Sequence, residues 1–227
     1  MQRSRHTLAA ATLILAALFA ITGNISSLQS DESQKVNYSE TIAVLQLLYG
    51  SEIRAGHRYQ LFAEIAMADS HSNIAHMFKA LSASEAVHAK NFKRILKSLK
   101  AEIPEIDLSA ITASTTKENL KYATQIELSE IDREYPRYIQ RISPERHQDA
   151  VEYINYAWEA ERQHRELIKE IQSGTGFFFS VLLDRFREKE SLYYVNQNCG
   201  ATVHELPEGA CPICHKPLHT YMEINKP

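Results

Sequence analysis

The chain has 227 residues, a formal net charge of −3 at pH 7, and only seven glycines and seven prolines. This length is enough for one substantial core with a small appendage. The charge gives no reason to expect a nucleic-acid partner or an anionic membrane surface, and the scarcity of glycine and proline argues against an all-β chain. All three cysteines follow position 198, which predicts a local metal or redox site rather than a disulfide framework.

The N-terminal segment has the composition of an export signal. A basic start is followed by an apolar run at residues 8–21 and then by polar residues. The run is shorter than the about 20 residues that a membrane-spanning helix needs, which favours a cleaved signal peptide over an uncleaved anchor. We predict a signal peptide or membrane anchor at 1–26 and a polar linker at 27–38. The protein is then exported, either periplasmic or anchored to the outer face of the cytoplasmic membrane.

Residues 39–173 show the three- and four-residue spacing of apolar side chains that predicts long helices. Ser39 is the predicted cap of the first helix, and Pro136 should kink the third helix or mark a bend in it. Ser143 and Pro144 predict the cap and the first turn of the fourth helix. Four long helices joined by short connections predict a bundle.

Acidic and imidazole side chains recur on helix faces that should be apolar, in the same order in both halves of the bundle. Each half has a lone glutamate on one helix and a Glu-x-x-His on the next, and the six residues are Glu52, Glu85, His88, Glu127, Glu161 and His164. A glutamate and a histidine three residues apart share a helix face and can bind one metal ion. Four carboxylates and two imidazoles inside a bundle are the ligand set of carboxylate-bridged di-iron and di-manganese proteins.

Glu130 breaks the symmetry between the two halves. It follows Glu127 by three residues, where the first half has Ala55. A carboxylate at this position could be a seventh ligand, a proton donor or an ordinary surface glutamate.

The segments that carry these residues resemble the rubrerythrin family, in which a ferritin-like di-iron domain precedes a rubredoxin-like domain. The resemblance covers residues 39–224 and is carried by GSEIRAGHRYQLFA, SASEAVHAKNF, IELSEIDREYP, EAERQHRE and CPICHKP. Its most specific part is Glu127-x-x-Glu130 followed by Tyr135-Pro136. The resemblance implies an all-α four-helix bundle of the ferritin-like type, with a small C-terminal rubredoxin-like knuckle that contains β structure.

The resemblance also implies which residues carry the chemistry. The six glutamates and histidines named above would be the iron ligands, and Glu130 would be an additional ligand that exchanges with His88 when the iron changes redox state. The implied activity is reduction of hydrogen peroxide to water, with Glu130 delivering or holding a proton. Tyr59 and Tyr135 are similar in position to tyrosines that could assist, although both could also be ordinary aromatic core residues.

The C-terminal knuckle departs from the family at one ligand. Cys199, Cys211 and Cys214 match three of the four rubredoxin cysteines, but Asn196 occupies the place of the first. An amide oxygen is a poor ligand for a soft site, so three alternatives stay open. These are an iron with altered redox behaviour completed by water or a histidine, a structural zinc, or a disulfide between Cys211 and Cys214.

The expected domains are thus a bundle at 39–173, a linker at 174–192 with a short amphipathic helix, and the knuckle at 193–227. We expect two irons in the bundle and one further iron or zinc in the knuckle, and we expect a homodimer. The leading function is peroxide reduction in oxidative-stress protection, with electrons from a donor that the sequence does not name. The alternative is a ferritin-like iron-binding or ferroxidase protein that sequesters iron without efficient electron input.

Overall fold

The computed structural model describes residues 37–172 and 192–227, without the side chains of 126–130 and 170–172. The expectations for the N-terminal segment and for the amphipathic helix in the linker therefore lie outside the described residues. Among the described helices, none combines the length and apolarity needed to cross a membrane.

Four long helices form the larger part of the fold, as the spacing of apolar residues predicts. They are α1 (Ser39–Ala68), α2 (Ser72–Ser98), α3 (Thr116–Ile142) and α4 (Gln148–Gln172). Helix α1 packs along α2, α3 packs along α4, and contacts between α1 and α3 and between α2 and α4 close the bundle. Pro136 lies inside α3, and the helix continues beyond this proline to Ile142.

The first backbone N–H groups of α1 are hydrogen-bonded by a distant carboxylate and not by the Ser39 side chain. The N-cap is Tyr38, which makes no side-chain capping bond, so the prediction of a Ser39 cap is wrong. The backbone N–H groups of Glu40 and Thr41 instead donate to the Glu145 carboxylate, each at 2.8 Å. The first N–H groups of a helix have no partner within the helix, and an acidic group supplies both a hydrogen bond and a favourable charge there.

The fourth helix also begins later than predicted. Residues Ser143–Glu145 form a separate 3₁₀ turn with the proline in its first positions. Arg146 then adopts a left-handed conformation, with φ of 54°, and α4 starts only at Gln148. Because the left-handed residue interrupts the helical path, Ser143 and Pro144 start the turn and not the helix.

The described part of the bundle contains two apolar clusters at different heights, and a third cluster lies in the C-terminal residues. One includes Phe62 and Phe78, and the other includes Leu45, Phe92 and Ile154, all of them almost fully buried. Along each helix, the glutamates and histidines of the predicted site fall between these clusters. The site therefore occupies a polar layer in an otherwise apolar interior.

The C-terminal residues form a small antiparallel sheet that rests on the bundle. Its strands are β1 (Tyr194–Asn196), β2 (Thr202–Val203) and β3 (Tyr221–Glu223), in the order β2-β1-β3. Strand β1 contacts α2, and β2 contacts α2 and α4. The three cysteines lie outside these strands, Cys199 between β1 and β2 and Cys211 and Cys214 between β2 and β3, and all three are buried.

Candidate metal centres

Four of the predicted ligands converge in the polar layer of the bundle. Ligand atoms of Glu52, Glu85, His88 and Glu161 all lie within 4.8 Å of one another, and all four residues are buried. His164 adjoins them, with Nδ1 at 3.1 Å from Glu161 Oε2 and 3.5 Å from Glu85 Oε1. We call these five residues the carboxylate cluster.

The helical spacing explains how the cluster forms. On α2 and on α4 a glutamate and a histidine three residues apart share a face, and in each pair Nδ1 lies 3.1 Å from the carboxylate. The two pairs also meet across the helices, because His88 Nδ1 is 3.4 Å from Glu161 Oε1. Each imidazole therefore touches a carboxylate of both helices.

Burial and charge strongly perturb the titration of the cluster. Removal from water raises the pKa of Glu52 to about 8, partly opposed by its hydrogen bond to His88. Burial also opposes the charged form of Glu161, but His164 and His88 outweigh it and hold the pKa of this carboxyl well below its usual range. Against the effect of burial, the charges of Glu161 and Glu85 raise the pKa of His164 to about 10.

The buried carboxylates and imidazoles of the cluster form a donor set that fits divalent cations. Without metal, the protons on the imidazoles and on Glu52 supply the positive charge that the crowded carboxylates need. A bound cation provides that charge instead and displaces the protons. Carboxylate oxygens combined with imidazole nitrogens suit iron and manganese, so the residues present fit the expected metals.

The stability of the metal-free protein should fall as the pH rises. The pKa values of Glu52 and His164 are higher in the folded protein, at about 8 and about 10, than the ordinary values of 4.5 and 6.5. Groups with raised pKa values stabilise the fold below their ordinary pKa and lose that contribution as the pH passes the folded value. Glu161 stays ionised in this window and leaves the slope unchanged. The lowered pKa of Cys211, about 5 against an ordinary 9.0, opposes the decrease below about pH 9. It does not reverse the decrease, because Glu52, His88 and His164 all have raised pKa values.

Urea unfolding in the presence of a chelator, at a series of pH values, measures this effect. We expect the free energy of unfolding to decrease from about pH 6.5 to about pH 10 and to vary less when metal is bound. A free energy that rises over this range in the metal-free protein would contradict the proposed charge balance.

A cavity of about 310 Å³ leads to the carboxylate cluster. It is lined at its inner end by Glu52, Glu85 and Glu161 and farther out by residues that include Leu47 and Arg133, which are well exposed. A molecule of the size of water or hydrogen peroxide can therefore reach the cluster from the surface.

The two predicted catalytic tyrosines lie in different surroundings. The Tyr135 hydroxyl donates to Glu52 Oε1 at 3.1 Å and lines the cavity. Burial and the negative charge of Glu52 raise its pKa well above the ordinary value, so it remains protonated. Tyr59 is buried in the apolar core, stacked on Phe78 and edge-on to Phe62, and its catalytic role stays a prediction.

Glu127 and Glu130 lie in α3, but their side chains are outside the described residues. Ala123 and Ile131, four residues before and after position 127, are both buried. The roles of Glu127 as a ligand and of Glu130 as an additional ligand or proton donor stay predictions.

The three cysteines form a second candidate metal site. Their sulfurs lie within 4.8 Å of one another, and all three thiols are free and buried. Cys199 Sγ and Cys211 Sγ are 3.6 Å apart, and the Tyr221 hydroxyl donates to Cys211. The hydrogen bond from Cys199 lowers the pKa of Cys211 to about 5, although burial opposes the shift. One thiolate is thus already favoured where a cation would bind.

Asn196 is a hydrogen-bonding residue of the knuckle. It is fully buried, its Oδ1 accepts the backbone N–H groups of Asn198 at 2.9 Å and Cys199 at 3.3 Å, and its Nδ2 donates to Thr220. A carbonyl oxygen has two lone pairs, so these bonds leave it little capacity to bind a metal, although it lies 3.7 Å from Cys214 Sγ. Within the described part of the chain, no histidine joins the three sulfurs.

The sequence patterns did not predict that the knuckle lies directly against the carboxylate cluster. The Cys199 carbonyl is 3.1 Å from His88 Nε2. A carbonyl can only accept, so Nε2 carries a proton and Nδ1 is left to face the carboxylates. Gly200 permits this approach, because a Cβ there would lie 2.2 Å from His88 Nε2. Ser84, a polar residue in an apolar repeat of α2, is the sequence signal that could have indicated the contact.

Comparison with known proteins places this arrangement in a family. The rubrerythrin family model matches residues 44–172. Rubrerythrin-2 of Clostridium acetobutylicum is 29% identical over 183 residues, covering 79% of this chain and 94% of that protein. Nigerythrin of Nitratidesulfovibrio vulgaris is 22% identical over 198 residues, covering 87% of this chain and 93% of that protein.

Solved structures agree with the fold. Fully reduced, all-ferrous nigerythrin matches with a TM-score of 0.68 at 22% identity, covering 93% of this chain and 100% of that chain. A bacterioferritin of Desulfovibrio desulfuricans, solved with its di-iron site in different catalytic states, has a TM-score of 0.61 at 18% identity and covers 66% of this chain and 87% of that chain. The expected ferritin-like bundle with a rubredoxin-like C-terminal domain is confirmed. On these grounds the chain belongs to the rubrerythrin family.

Proposed function

We propose that the protein is a di-iron oxidoreductase that reduces hydrogen peroxide to water and so protects against oxidative stress. The observation that carries the proposal is the buried convergence of Glu52, Glu85, His88 and Glu161 at the inner end of a cavity. The membership of the chain in the rubrerythrin family supports the same proposal.

The carboxylate cluster would hold the ions, with Glu127 and Glu130 as further proposed ligands. Two ferrous ions, when bound, would supply the two electrons that, with two protons, convert one peroxide into two water molecules. The two histidines provide nitrogen donors on opposite helices, and the carboxylates balance the ionic charge. The cavity admits a molecule as small as peroxide, and the near-complete burial of the cluster side chains strengthens the electrostatic interactions among them.

Tyr135 would provide a protonated group beside Glu52 at the cluster. The Tyr135 hydroxyl keeps its proton directed at Glu52 Oε1, which holds this carboxylate in one orientation. Bound metal would displace the proton from Glu52, whereas the Tyr135 hydroxyl, whose pKa is raised well above the ordinary value, would remain protonated beside it.

Substitution of Tyr135 by phenylalanine should slow peroxide reduction while the fold is retained. Loss of one hydrogen bond to a charged group costs about 1.5–3 kcal/mol, which corresponds to a decrease in rate of roughly 10- to 150-fold if the bond strengthens by that amount in the transition state. The measurement is peroxide consumption by equally iron-loaded proteins. Tyr138→Phe, a change one turn away in the same cavity, is the control and should stay within about twofold of the original rate. Equal rates for all three proteins would exclude Tyr135 from the chemistry.

The position of the knuckle supports electron delivery from it to the bundle. A single backbone carbonyl connects the Cys199 residue to His88, so an iron on the three sulfurs would lie close to the cluster. We propose that an external reductant feeds this site, and that the protein acts as a homodimer outside the cytoplasm. The export proposal rests on the composition of residues 1–26 and is tested by cell fractionation.

Iron handling without turnover is the second candidate function. The likeness to a bacterioferritin fold and the absence of a fourth cysteine at Asn196 favour it. The two functions differ in stoichiometry, because a peroxidase consumes peroxide repeatedly, whereas a sequestering protein oxidises its ferrous iron once.

Peroxide consumption with excess reductant distinguishes them. The iron-loaded full-length protein receives a chemical reductant and a large molar excess of peroxide, and peroxide loss is followed over time. We expect many equivalents consumed per chain. Consumption that stops at about one peroxide per two irons, with reductant still present, would contradict the peroxidase proposal and support iron handling.

A further inference from the structure

We propose that Ser84 is a positioning residue through which the docked knuckle fixes the orientation and tautomer of His164. This inference rests on the metal centre of the proposed function and is independent of which oxidant that centre reduces. If Ser84 has this role, metal binding in the bundle and docking of the knuckle depend on each other.

The Ser84 hydroxyl lies between the knuckle and the cluster. The residue is fully buried, and its Oγ is 2.6 Å from the Gly200 carbonyl oxygen and 3.0 Å from His164 Nε2. Thr202 Oγ1 adds a weaker contact, at 3.3 Å from the same nitrogen and 3.0 Å from the same carbonyl. A serine inside a helix usually turns back to a carbonyl of its own helix, but this one joins two other parts of the chain.

The chemistry of these groups leaves one arrangement of protons. The Gly200 carbonyl can only accept, so the single Ser84 proton is donated to it. The serine oxygen must then accept from His164, which places the proton of that imidazole on Nε2. In the neutral imidazole, Nδ1 therefore has the lone pair, and Nδ1 is the nitrogen that faces Glu161 and Glu85.

One loop of the knuckle thus fixes the orientation and the tautomer of both histidines of the cluster. The Cys199 carbonyl fixes His88 directly, and the Gly200 carbonyl fixes His164 through Ser84. Partners that hold the outer nitrogen of a metal-binding histidine determine its tautomer and increase its affinity for the metal. By thermodynamic reciprocity, a metal ion that favours these orientations must also favour the docked position of residues 199–202.

Alanine at position 84 tests the role of the hydroxyl. Alanine favours helices, so Ser84→Ala should fold. Ser82→Ala is a matched control, because the Ser82 hydroxyl also donates to a backbone carbonyl of a neighbouring helix, that of Gly56 at 2.8 Å. The probe is Co²⁺ titrated anaerobically into the metal-free full-length protein, followed by its visible spectrum. Cobalt bound by the cysteines is recognised separately by its intense sulfur-to-metal absorption.

We expect Ser84→Ala to bind Co²⁺ in the bundle about 10- to 100-fold more weakly, with a changed spectrum, and Ser82→Ala to stay within about threefold of the original protein. Thr202→Val should weaken binding in the same direction but less. Hydrogen exchange at residues 199–202 gives a second readout. Bound Co²⁺ should slow it in the original protein, and this protection should be lost in Ser84→Ala.

The outcomes separate this inference from the function on which it rests. If the original protein binds Co²⁺ only at the cysteines, the metal centre in the bundle is refuted and the role of Ser84 with it. If the original protein and Ser84→Ala bind cobalt in the bundle with equal affinity, equal spectra and equal protection of residues 199–202, the metal centre stands and the inference about Ser84 is overturned.

Discussion

Alanine in place of Glu161 should remove metal binding from the bundle almost completely. Glu161 lies at the centre of the cluster, where its two oxygens face His88 at 3.4 Å and His164 at 3.1 Å. Its loss takes away a ligand and leaves two buried imidazoles without their main counter-charge. We expect metal affinity to fall by more than the about 10- to 100-fold that loss of a partner outside the coordination sphere costs. Peroxide turnover should fall with it.

The control for this change lies two residues earlier on the same helix. Glu159 is well exposed and pairs with Arg162 at the surface, so Glu159→Ala should have close to the original metal content. The test measures iron per chain and peroxide consumption for both variants after identical loading with iron. If Glu161→Ala retains its full iron content, Glu161 is not a ligand and the cluster does not hold metal as described.

Alanine at Gly200 should displace the knuckle from α2. An added Cβ would lie 2.2 Å from His88 Nε2 and 2.8 Å from Ser84 Oγ, and the backbone φ of +81° is strained for any residue with a side chain. Forced overlap in a packed region costs about 1–3 kcal/mol, and the left-handed conformation adds about 1–2 kcal/mol. We expect the free energy of unfolding to fall by about 3 kcal/mol, together with weaker metal binding.

Gly209 separates the steric effect from the backbone effect. Its φ is +83°, but a Cβ there would meet nothing within 4 Å. Gly209→Ala should therefore lose only the conformational part, about 1–2 kcal/mol, and should bind metal as before. Equal losses of stability in the two variants, with metal binding intact in both, would show that the knuckle does not depend on close contact at Gly200.

Much of the fold could be predicted because the relevant signals are local. The four helices follow from apolar residues at three- and four-residue intervals, and the two Glu-x-x-His pairs share helix faces by geometry alone. The prediction of a cap for α1 was wrong because a distant carboxylate, and not a local side chain, accepts its first N–H groups. The local pattern predicts a cap at Ser39, but Glu145, more than 100 positions away, accepts hydrogen bonds from the first N–H groups of α1.

The relation of the knuckle to the bundle could not be derived from local patterns. Asn196 looks like a lost ligand in the sequence, and only the structure shows its oxygen accepting the N–H groups of the loop that carries Cys199. The bonds of Ser84 to Gly200 and His164 join residues 116 and 80 positions apart. Such contacts depend on how the bundle and the knuckle meet, which residue spacing within each part does not specify.

Metal content of the mature protein tests the central claim most directly. Iron and zinc are measured separately, per chain, on protein purified anaerobically from its own compartment. The carboxylate cluster and the three free thiols predict two irons in the bundle and a third metal in the knuckle. Two irons without a third metal would leave the bundle site intact and assign the knuckle a structural role. Protein that contains no iron, and takes up none when loaded with ferrous ions, would contradict the account.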